Sequence, residues 1–161
     1  KDGDIVSLDC GVIVGGIYTD ACVTVAVGTI DEKAKLFLER SKKALEEAVS
    51  MVAPGTRIGD ISSAIQKSVE QHGYTCVNGL TGHGLGTTLH QFPDIPNIGK
   101  KGTGPALAKN VLIAIEPITS MGGSAMRDGD DGWTICTADG SLSAHFENTV
   151  LVTSDGYEVL A

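Results

Sequence analysis

Basic residues, aromatic residues and long apolar runs are all scarce in this 161-residue sequence, and each shortage limits what the protein does. There are 12 Lys and Arg residues against 20 Asp and Glu residues, a formal net charge of −8. That balance argues against nucleic acid as a partner, because phosphates are bound by basic surfaces. Aromatic residues make up 4% of the chain. No apolar run approaches the roughly 18 residues that a membrane-spanning helix needs, so no membrane partner is expected.

Cysteine is also sparse and irregularly spaced. The cysteines at positions 10, 22, 76 and 136 form no CxxC pair, and four in a chain of this length do not indicate a disulfide framework. Free thiols in a reducing cytosol are the expected state, which favours a cytoplasmic location. Cys10 and Cys22 lie in strand-like segments and are predicted to be small core residues.

Glycine is abundant, with 21 residues, and it separates short segments of clear hydrophobic periodicity. Gly15-Gly16 and the sequence ADG at 138–140 are typical of hairpin turns, and Asp31 is a candidate helix cap. The predicted elements, in chain order, are strands over 4–14 and 17–27, helices over 31–53 and 57–72, a loop-rich segment over 74–109, and strands over 110–116, 132–137 and 141–152. This order predicts an α+β fold, an antiparallel sheet with helices on one face.

The length predicts one domain over residues 1–161. The chain opens without Met on "KDGDIVSLD", a turn that leads directly into a strand. That abrupt start leads us to expect that an upstream segment is missing.

Two aspartates mark the first predicted hairpin, at either end of "DCGVIVGGIYTD". When the hairpin closes, Asp9 and Asp20 lie opposite or diagonal to each other, about 4.5–8 Å apart. Two carboxylates at that separation repel each other, so one holds a proton unless a cation lies nearby.

Three more polar residues interrupt otherwise apolar or glycine-rich segments. Glu116 ends "NVLIAIE", Glu147 lies within "SAHFENTVLV", and His83 lies between two glycines in "TGHGLG", where backbone can approach closely. Taken singly, each has an ordinary interpretation as a solvated strand-end Glu or a loop His. Four carboxylates and one imidazole together form a ligand set for divalent Mn, Fe, Co or Zn. Two such ions would nearly balance four carboxylates and could activate a water for hydrolysis.

Several separate motifs, in the same order, resemble the type I methionine aminopeptidases, which have the pita-bread fold. The related proline peptidases share the metal motifs, but "DGWTICTADGSLSAHFENTVLVT" is similar to the methionine enzymes and not to them. The segments that carry the resemblance are "KDGDIVSLDCGVIVGGIYTDACVTVAVG", "APGTRIGDISSAIQKSVEQHGY", "GHGLGTTLHQFPDIPN", "VLIAIEPI" and "DGWTICTADGSLSAHFENTVLVTSDG".

The resemblance implies a dinuclear metallopeptidase centre. Asp20 and Glu147 would bridge the two ions, which would be Co, Mn, Fe or Zn. The implied metal ligands are Asp9, Asp20, His83, Glu116 and Glu147.

Three side chains would act on the substrate. His90, seven residues after His83, would contact the substrate and steady the tetrahedral intermediate. Trp133 would line the pocket for the methionine side chain, and Glu116 would carry a proton from water to the leaving amine. The implied function is removal of the N-terminal methionine from nascent polypeptides in the cytoplasm, with the ribosome as a further candidate partner.

The chain departs from the family pattern near the implied site. Leu89 stands where Phe is usual, "QFP" replaces "EEP", and "AHFEN" replaces "AQFEH", which makes His145 and Asn148 unusual neighbours of Glu147. A catalytic histidine and two helices that the family carries upstream of "DGDIV" are expected to be missing. The alternatives are therefore a non-catalytic pita-bread module that binds peptides or proteins, and an inactive fragment of the enzyme.

Overall fold

The computed structural model describes all of residues 1–161, as two helices and twelve strands. The elements are β1 (Ile5–Val14), β2 (Ile17–Ala26), α1 (Glu32–Val49), α2 (Ile58–Glu70), β3 (Thr75–Cys76), β4 (Thr81–Leu85), β5 (Gln91–Pro96), β6 (Leu112–Ile115), β7 (Ile118–Ser120), β8 (Met126–Asp128), β9 (Ile135–Thr137), β10 (Ser143–His145), β11 (Asn148–Val152) and β12 (Tyr157–Val159).

Every strand pairing is antiparallel. The largest sheet has five strands in the order β12-β11-β6-β4-β5, and a second sheet has the order β10-β7-β3. Two further pairs form separate ribbons, β1-β2 and β8-β9. Neither helix combines the length and the apolar character that crossing a bilayer requires.

Both predicted helices are present, and each ends slightly earlier than predicted. The Asp31 side chain caps α1 by accepting a hydrogen bond from the Ala34 N–H (2.7 Å), as predicted. α1 ends at Val49 rather than 53, with Ser50 as its C-cap. Ala53 itself is disfavoured in the helical conformation because it precedes Pro54. α2 runs from Ile58 to Glu70.

The core lies between the two helices and one face of the sheets. It combines the apolar stripes of both helices with alternate residues of β6 and β11. Ile113, Ile115, Val150 and Val152 are fully buried in this core. Because side chains alternate along a strand, the intervening residues of β6 and β11 lie on the other face of the sheet. The predicted layout, an antiparallel sheet with helices on one face, is confirmed.

The prediction of a loop over 74–109 was wrong, because the segment contains β3, β4 and β5. Two glycines that resemble turn signals, Gly82 and Gly84, lie inside β4. A Cβ at Gly82 would collide with the Ala114 carbonyl oxygen, and one at Gly84 with the Phe92 carbonyl oxygen. These glycines permit close approach of neighbouring strands and do not mark turns.

The predicted hairpin around ADG was also wrong. Gly140 does adopt the left-handed conformation of a turn (φ 75°). However, β9 pairs with β8 and β10 pairs with β7, so the turn connects strands of different sheets. The single strand predicted over 141–152 is divided into β10 and β11. The chain changes sheets between them, at Phe146 and Glu147.

The first hairpin is confirmed in register. Asp9 pairs with Cys22 and Gly11 pairs with Asp20, so the two aspartates are diagonal neighbours on one face of the β1-β2 ribbon. All cysteines are free, and Cys22 is buried as predicted. Cys10 is exposed, contrary to prediction, because successive side chains alternate and Cys10 lies on the opposite face of the ribbon from Asp9.

Candidate metal centre

The ionisable residues predicted for the site converge on the sheet face that lies away from the helices. In the sheet register, Ala114 pairs with His83 on one side and with Thr149 on the other. These three residues therefore share the face opposite to Ile113 and Ile115.

Strand β2 lies against residues 145–149 and brings the aspartate ribbon to this face. The Thr149 hydroxyl accepts a hydrogen bond from the Asp20 N–H and donates one to the Asp20 carbonyl, both at 2.7 Å. The Thr24 hydroxyl makes the same pair of bonds with the backbone of His145, both at 2.8 Å. We call these two threonine contacts the clamps. Between them, the backbones of Cys22 and Glu147 form hydrogen bonds with each other. The three contacts fix the ribbon relative to the sheets.

His83 is oriented for ligation by the backbone of the next residue, Gly84. Its Nδ1 lies 2.9 Å from the carbonyl oxygen of Gly84, so the proton is assigned to Nδ1, which donates to that oxygen. The lone pair of Nε2 then faces the Glu116 carboxylate at 3.5 Å and the Asp20 carboxylate at 4.0 Å. An ionised carboxylate only accepts hydrogen bonds, so neither carboxylate can pair with this lone pair. A proton or a cation between them is needed.

Glu147 is the most deeply buried carboxylate of the group, with 2% of its side chain exposed. Its Oε1 is buried and has no hydrogen-bond partner. Burial, and after it the nearby carboxylates of Glu116, Asp20 and Asp9, together raise the pKa of Glu147 to about 9. Burial and Asp9 also raise the pKa of Asp20, while His83 opposes them. The fold thus gathers negative charge that only protons or cations can offset.

His145 also lies in the cluster, although its sequence position gave it no role. Its Nε2 is 3.3 Å from Glu116 Oε2 and 3.7 Å from Glu147 Oε2, and its Nδ1 is 3.9 Å from Asp9 Oδ2. The available signal was the alternation of side chains, which places His145 on the same side as Glu147, two residues later. The sequence alone identifies His145 only as an unusual neighbour of Glu147.

The residues present fit divalent metal ions. Two sets of potential ligand atoms each lie within 4.8 Å of one another, namely Asp20 with His83 and Glu147, and Asp9 with Cys22 and His145. Mixed carboxylate and imidazole donors suit first-row divalent metals. The buried, unpartnered Glu147 Oε1 and His145 Nε2 are the atoms that an ion would satisfy.

The remaining predicted residues differ in their distance from this cluster. The ring of His90 packs edge-on against His83, with centroids 4.4 Å apart, and it is exposed at the rim. The Asp9 side chain is 54% exposed. Trp133 is 90% exposed on the connection between β8 and β9, where its backbone N–H donates to the Asp131 carboxylate (3.0 Å). The structure therefore places His90 against His83 and leaves the Trp133 side chain exposed.

Comparison with known proteins gives a consistent result. The family model of metallopeptidase family M24 matches residues 1–154. The methionine aminopeptidase of Clostridium perfringens is 43% identical over 160 residues, which are 99% of this chain and 64% of that protein. The chain thus spans slightly less than two thirds of the length of this relative.

Superposition on solved structures identifies the fold. The methionine aminopeptidase of Thermotoga maritima superposes with a TM-score of 0.96 at 46% identity, covering 99% of this chain and 64% of that one. The prolidase of Pyrococcus furiosus superposes with a TM-score of 0.78 at 24% identity, covering 99% and 41% of the two chains. The predicted pita-bread fold is confirmed.

Proposed function

The chain belongs to metallopeptidase family M24, and from that membership and the site geometry we propose that it removes N-terminal methionine from polypeptides with the help of two divalent metal ions. One observation carries the proposal. Carboxylates and an imidazole from β1, β2, β4, the end of β6 and the β10–β11 junction meet on one sheet face, around a buried Glu147 oxygen that has no partner. The methionine specificity is supported by relatives that are named methionine aminopeptidases.

The proposed ligands are the five residues that the sequence singled out. Asp20 and Glu147 are proposed to bridge the ions. Co, Mn, Fe and Zn all suit such a donor set. The proposed ligand residues are Asp9, Asp20, His83, Glu116 and Glu147.

The reaction proposed is hydrolysis of the first peptide bond. When bound, the ions supply Lewis acidity and lower the pKa of a water molecule. Glu116, whose two carboxylate oxygens lie near His83 and His145, takes the proton from the attacking water and delivers it to the leaving amine. The free α-amine of a substrate would supply a further nitrogen donor when the ions are bound, which favours an exopeptidase.

Two residues are proposed to contact the substrate. His90 is exposed beside His83, where it can donate a hydrogen bond to the oxygen that becomes negative in the transition state. Trp133 is proposed to contact the methionine side chain through its exposed indole.

Newly made polypeptides in the cytoplasm are the proposed substrates, and the ribosome is a proposed partner. Residues 1–161 are proposed to belong to one catalytic domain. A non-catalytic binding module is disfavoured, because all five ligand positions carry ligating side chains.

The test compares the complete natural polypeptide with its Asp20→Asn variant. With Mn²⁺ or Co²⁺ added, the wild type should bind two equivalents of metal and cleave Met-Ala-Ser, but not its N-acetylated form. Asp20→Asn should lose metal and lower kcat/KM by at least about 10³-fold, because a bridging carboxylate contributes to both ions. Asp155→Asn, an exposed aspartate of the β11–β12 turn, is the control and should change neither quantity. A wild type that binds no metal, or that binds metal without cleaving the peptide, would contradict the proposal.

A further inference from the structure

We propose that His145 is itself a metal ligand, the second imidazole of the centre, serving the ion on the Asp9 side. The inference rests on the proposed metal-dependent function and adds a residue to its ligand set. His145 lies in β10, whereas His83 lies in β4, so the two imidazoles enter the cluster from different sheets.

The distances around the His145 ring are those of atoms that share an ion. Two ligands that each bind a metal at about 2.1 Å in tetrahedral geometry lie about 3.4 Å apart, and about 3.0 Å apart at a right angle. His145 Nε2 lies 3.3 Å from Glu116 Oε2 and 3.7 Å from Glu147 Oε2. His83 Nε2, on the other side of Glu116, lies at a comparable 3.5 Å from Glu116 Oε1. Each oxygen of Glu116 therefore faces one imidazole nitrogen.

The ring of His145 has no competing structural role. The backbone of His145 is held by the Thr24 hydroxyl, which accepts from its N–H and donates to its carbonyl oxygen, and Ser7 supports Thr24 at 2.8 Å. These bonds position the residue without using its side chain. Its Nε2 is buried and has no hydrogen-bond partner, which in a native fold calls for a ligand.

The assignment gives each ion one nitrogen donor. Asp20, His83 and Glu147 form one set, and Asp9, Cys22 and His145 form the other, with Glu116 between the two imidazoles. Without His145, the ion on the Asp9 side would have no imidazole donor, and a site of carboxylates and water suits Mn²⁺ or Mg²⁺. With an imidazole added, the same position favours Co²⁺ over Mn²⁺, in the Irving–Williams order.

The test measures metal binding by the complete natural polypeptide, by calorimetric titration with Co²⁺ and with Mn²⁺, in wild type and His145→Gln. The variant should lower the affinity for the second Co²⁺ by more than about 100-fold, since loss of outer-sphere partners alone lowers it by about 10–100-fold. The preference of that position for Co²⁺ over Mn²⁺ should fall with it. His72→Gln, an exposed histidine after α2, is the matched control and should bind both ions as the wild type does.

A second readout does not depend on any variant. In the Co²⁺-loaded wild type, proton NMR should show strongly shifted ring resonances from two histidines, and His145→Gln should retain those of His83 only. One shifted histidine in the wild type, or a variant with unchanged affinity and unchanged Co²⁺ preference, would overturn the assignment and leave the proposed function intact. A wild type that binds no Co²⁺ would overturn the proposed function first.

Discussion

Glu147 is a single side chain that destabilises the metal-free fold and offers a buried oxygen to a ligand. It is nearly inaccessible, one of its oxygens has no partner, and its pKa is raised to about 9, first by burial and then by neighbouring carboxylates. In the unfolded chain the same carboxyl ionises near its ordinary pKa of 4.5. At neutral pH without metal, the folded state must therefore hold a proton that the unfolded state releases, which destabilises the fold.

Replacing Glu147 with Gln should separate the two effects. Glu147→Gln removes the ionisable group with little change in shape. The metal-free variant should therefore melt at least about 3 °C above the wild type at pH 8, which corresponds to about 1 kcal/mol in a chain of this length. It should also fail to bind two equivalents of Co²⁺, because a neutral amide is a poor ligand. Thermal unfolding and calorimetric titration measure the two quantities.

The control for this substitution is Glu158→Gln, which changes an exposed glutamate of β12. It should leave both melting temperature and metal stoichiometry unchanged. A metal-free Glu147→Gln variant that melts below the wild type would contradict the claim that the buried carboxyl is a destabilising group.

At the scale of elements, the contact between β2 and residues 145–149 decides whether the centre exists. Asp20 and Thr149 are 129 residues apart in sequence, and Thr24 and His145 are 121 apart. Each threonine hydroxyl replaces the pair of backbone bonds that a regular antiparallel partner would make. Because both threonines are partnered with residues of the cluster, the clamps hold the ligands as well as the strands.

Removing one clamp should weaken both the fold and the site. Thr149→Val keeps the shape of the side chain but leaves the Asp20 N–H and carbonyl without partners, which should lower the free energy of unfolding by about 1–3 kcal/mol. Metal affinity should fall too, since Asp20 loses its backbone anchor. Chemical denaturation and metal titration measure these effects.

Thr29→Val serves as the comparison, because Thr29 is exposed and it bonds through its backbone N–H, to Asp2. That variant should behave as the wild type. If Thr149→Val matched it in both stability and metal affinity, the clamp would not be what holds β2 in place.

Elements with local signals were predictable from the sequence, and elements with non-local partners were not. The helices followed from apolar spacing, a capping aspartate and Pro54, all of which act within a few residues. β4 was missed because Gly82 and Gly84 resemble loop residues until the neighbouring backbones are placed against them. The split between β10 and β11 was missed because a change of sheet leaves no mark on an alternating strand.

For the whole molecule, the stability of the metal-free protein should fall as pH rises. Glu147 and Asp20 both have raised pKa values in the fold, so above about pH 4.5 the folded state binds more protons than the unfolded state. That imbalance makes the slope of unfolding free energy against pH negative up to about pH 9. Asp131, whose pKa is lowered to about 2 by bonds from Thr134 and Trp133, acts with the opposite sign only at more acidic pH.

Melting curves of the metal-free protein should therefore show a melting temperature at least about 3 °C lower at pH 8 than at pH 5. Saturating Co²⁺ or Mn²⁺ should reverse the trend, because the ions bind the deprotonated ligands. At a metal concentration of 100 times the dissociation constant, one bound ion adds about 2.7 kcal/mol to the free energy of unfolding. In the metal-free Glu147→Gln variant, the fall between pH 5 and pH 8 should be smaller than in the wild type. A metal-free wild type that is more stable at pH 8 than at pH 5 would contradict this account.

The sequence by itself determined the helices, the first hairpin with its two aspartates, and which carboxylates and which histidine are out of place in apolar or glycine-rich segments. Those features depend on residues close together in the chain, where periodicity and turn chemistry act directly. Only the tertiary structure decided that the Asp9 side chain is half exposed, and that His145 points its unpartnered nitrogen at Glu116 and Glu147. Those outcomes depend on pairings between segments more than one hundred residues apart, such as the one between β2 and residues 145–149, which no local pattern encodes.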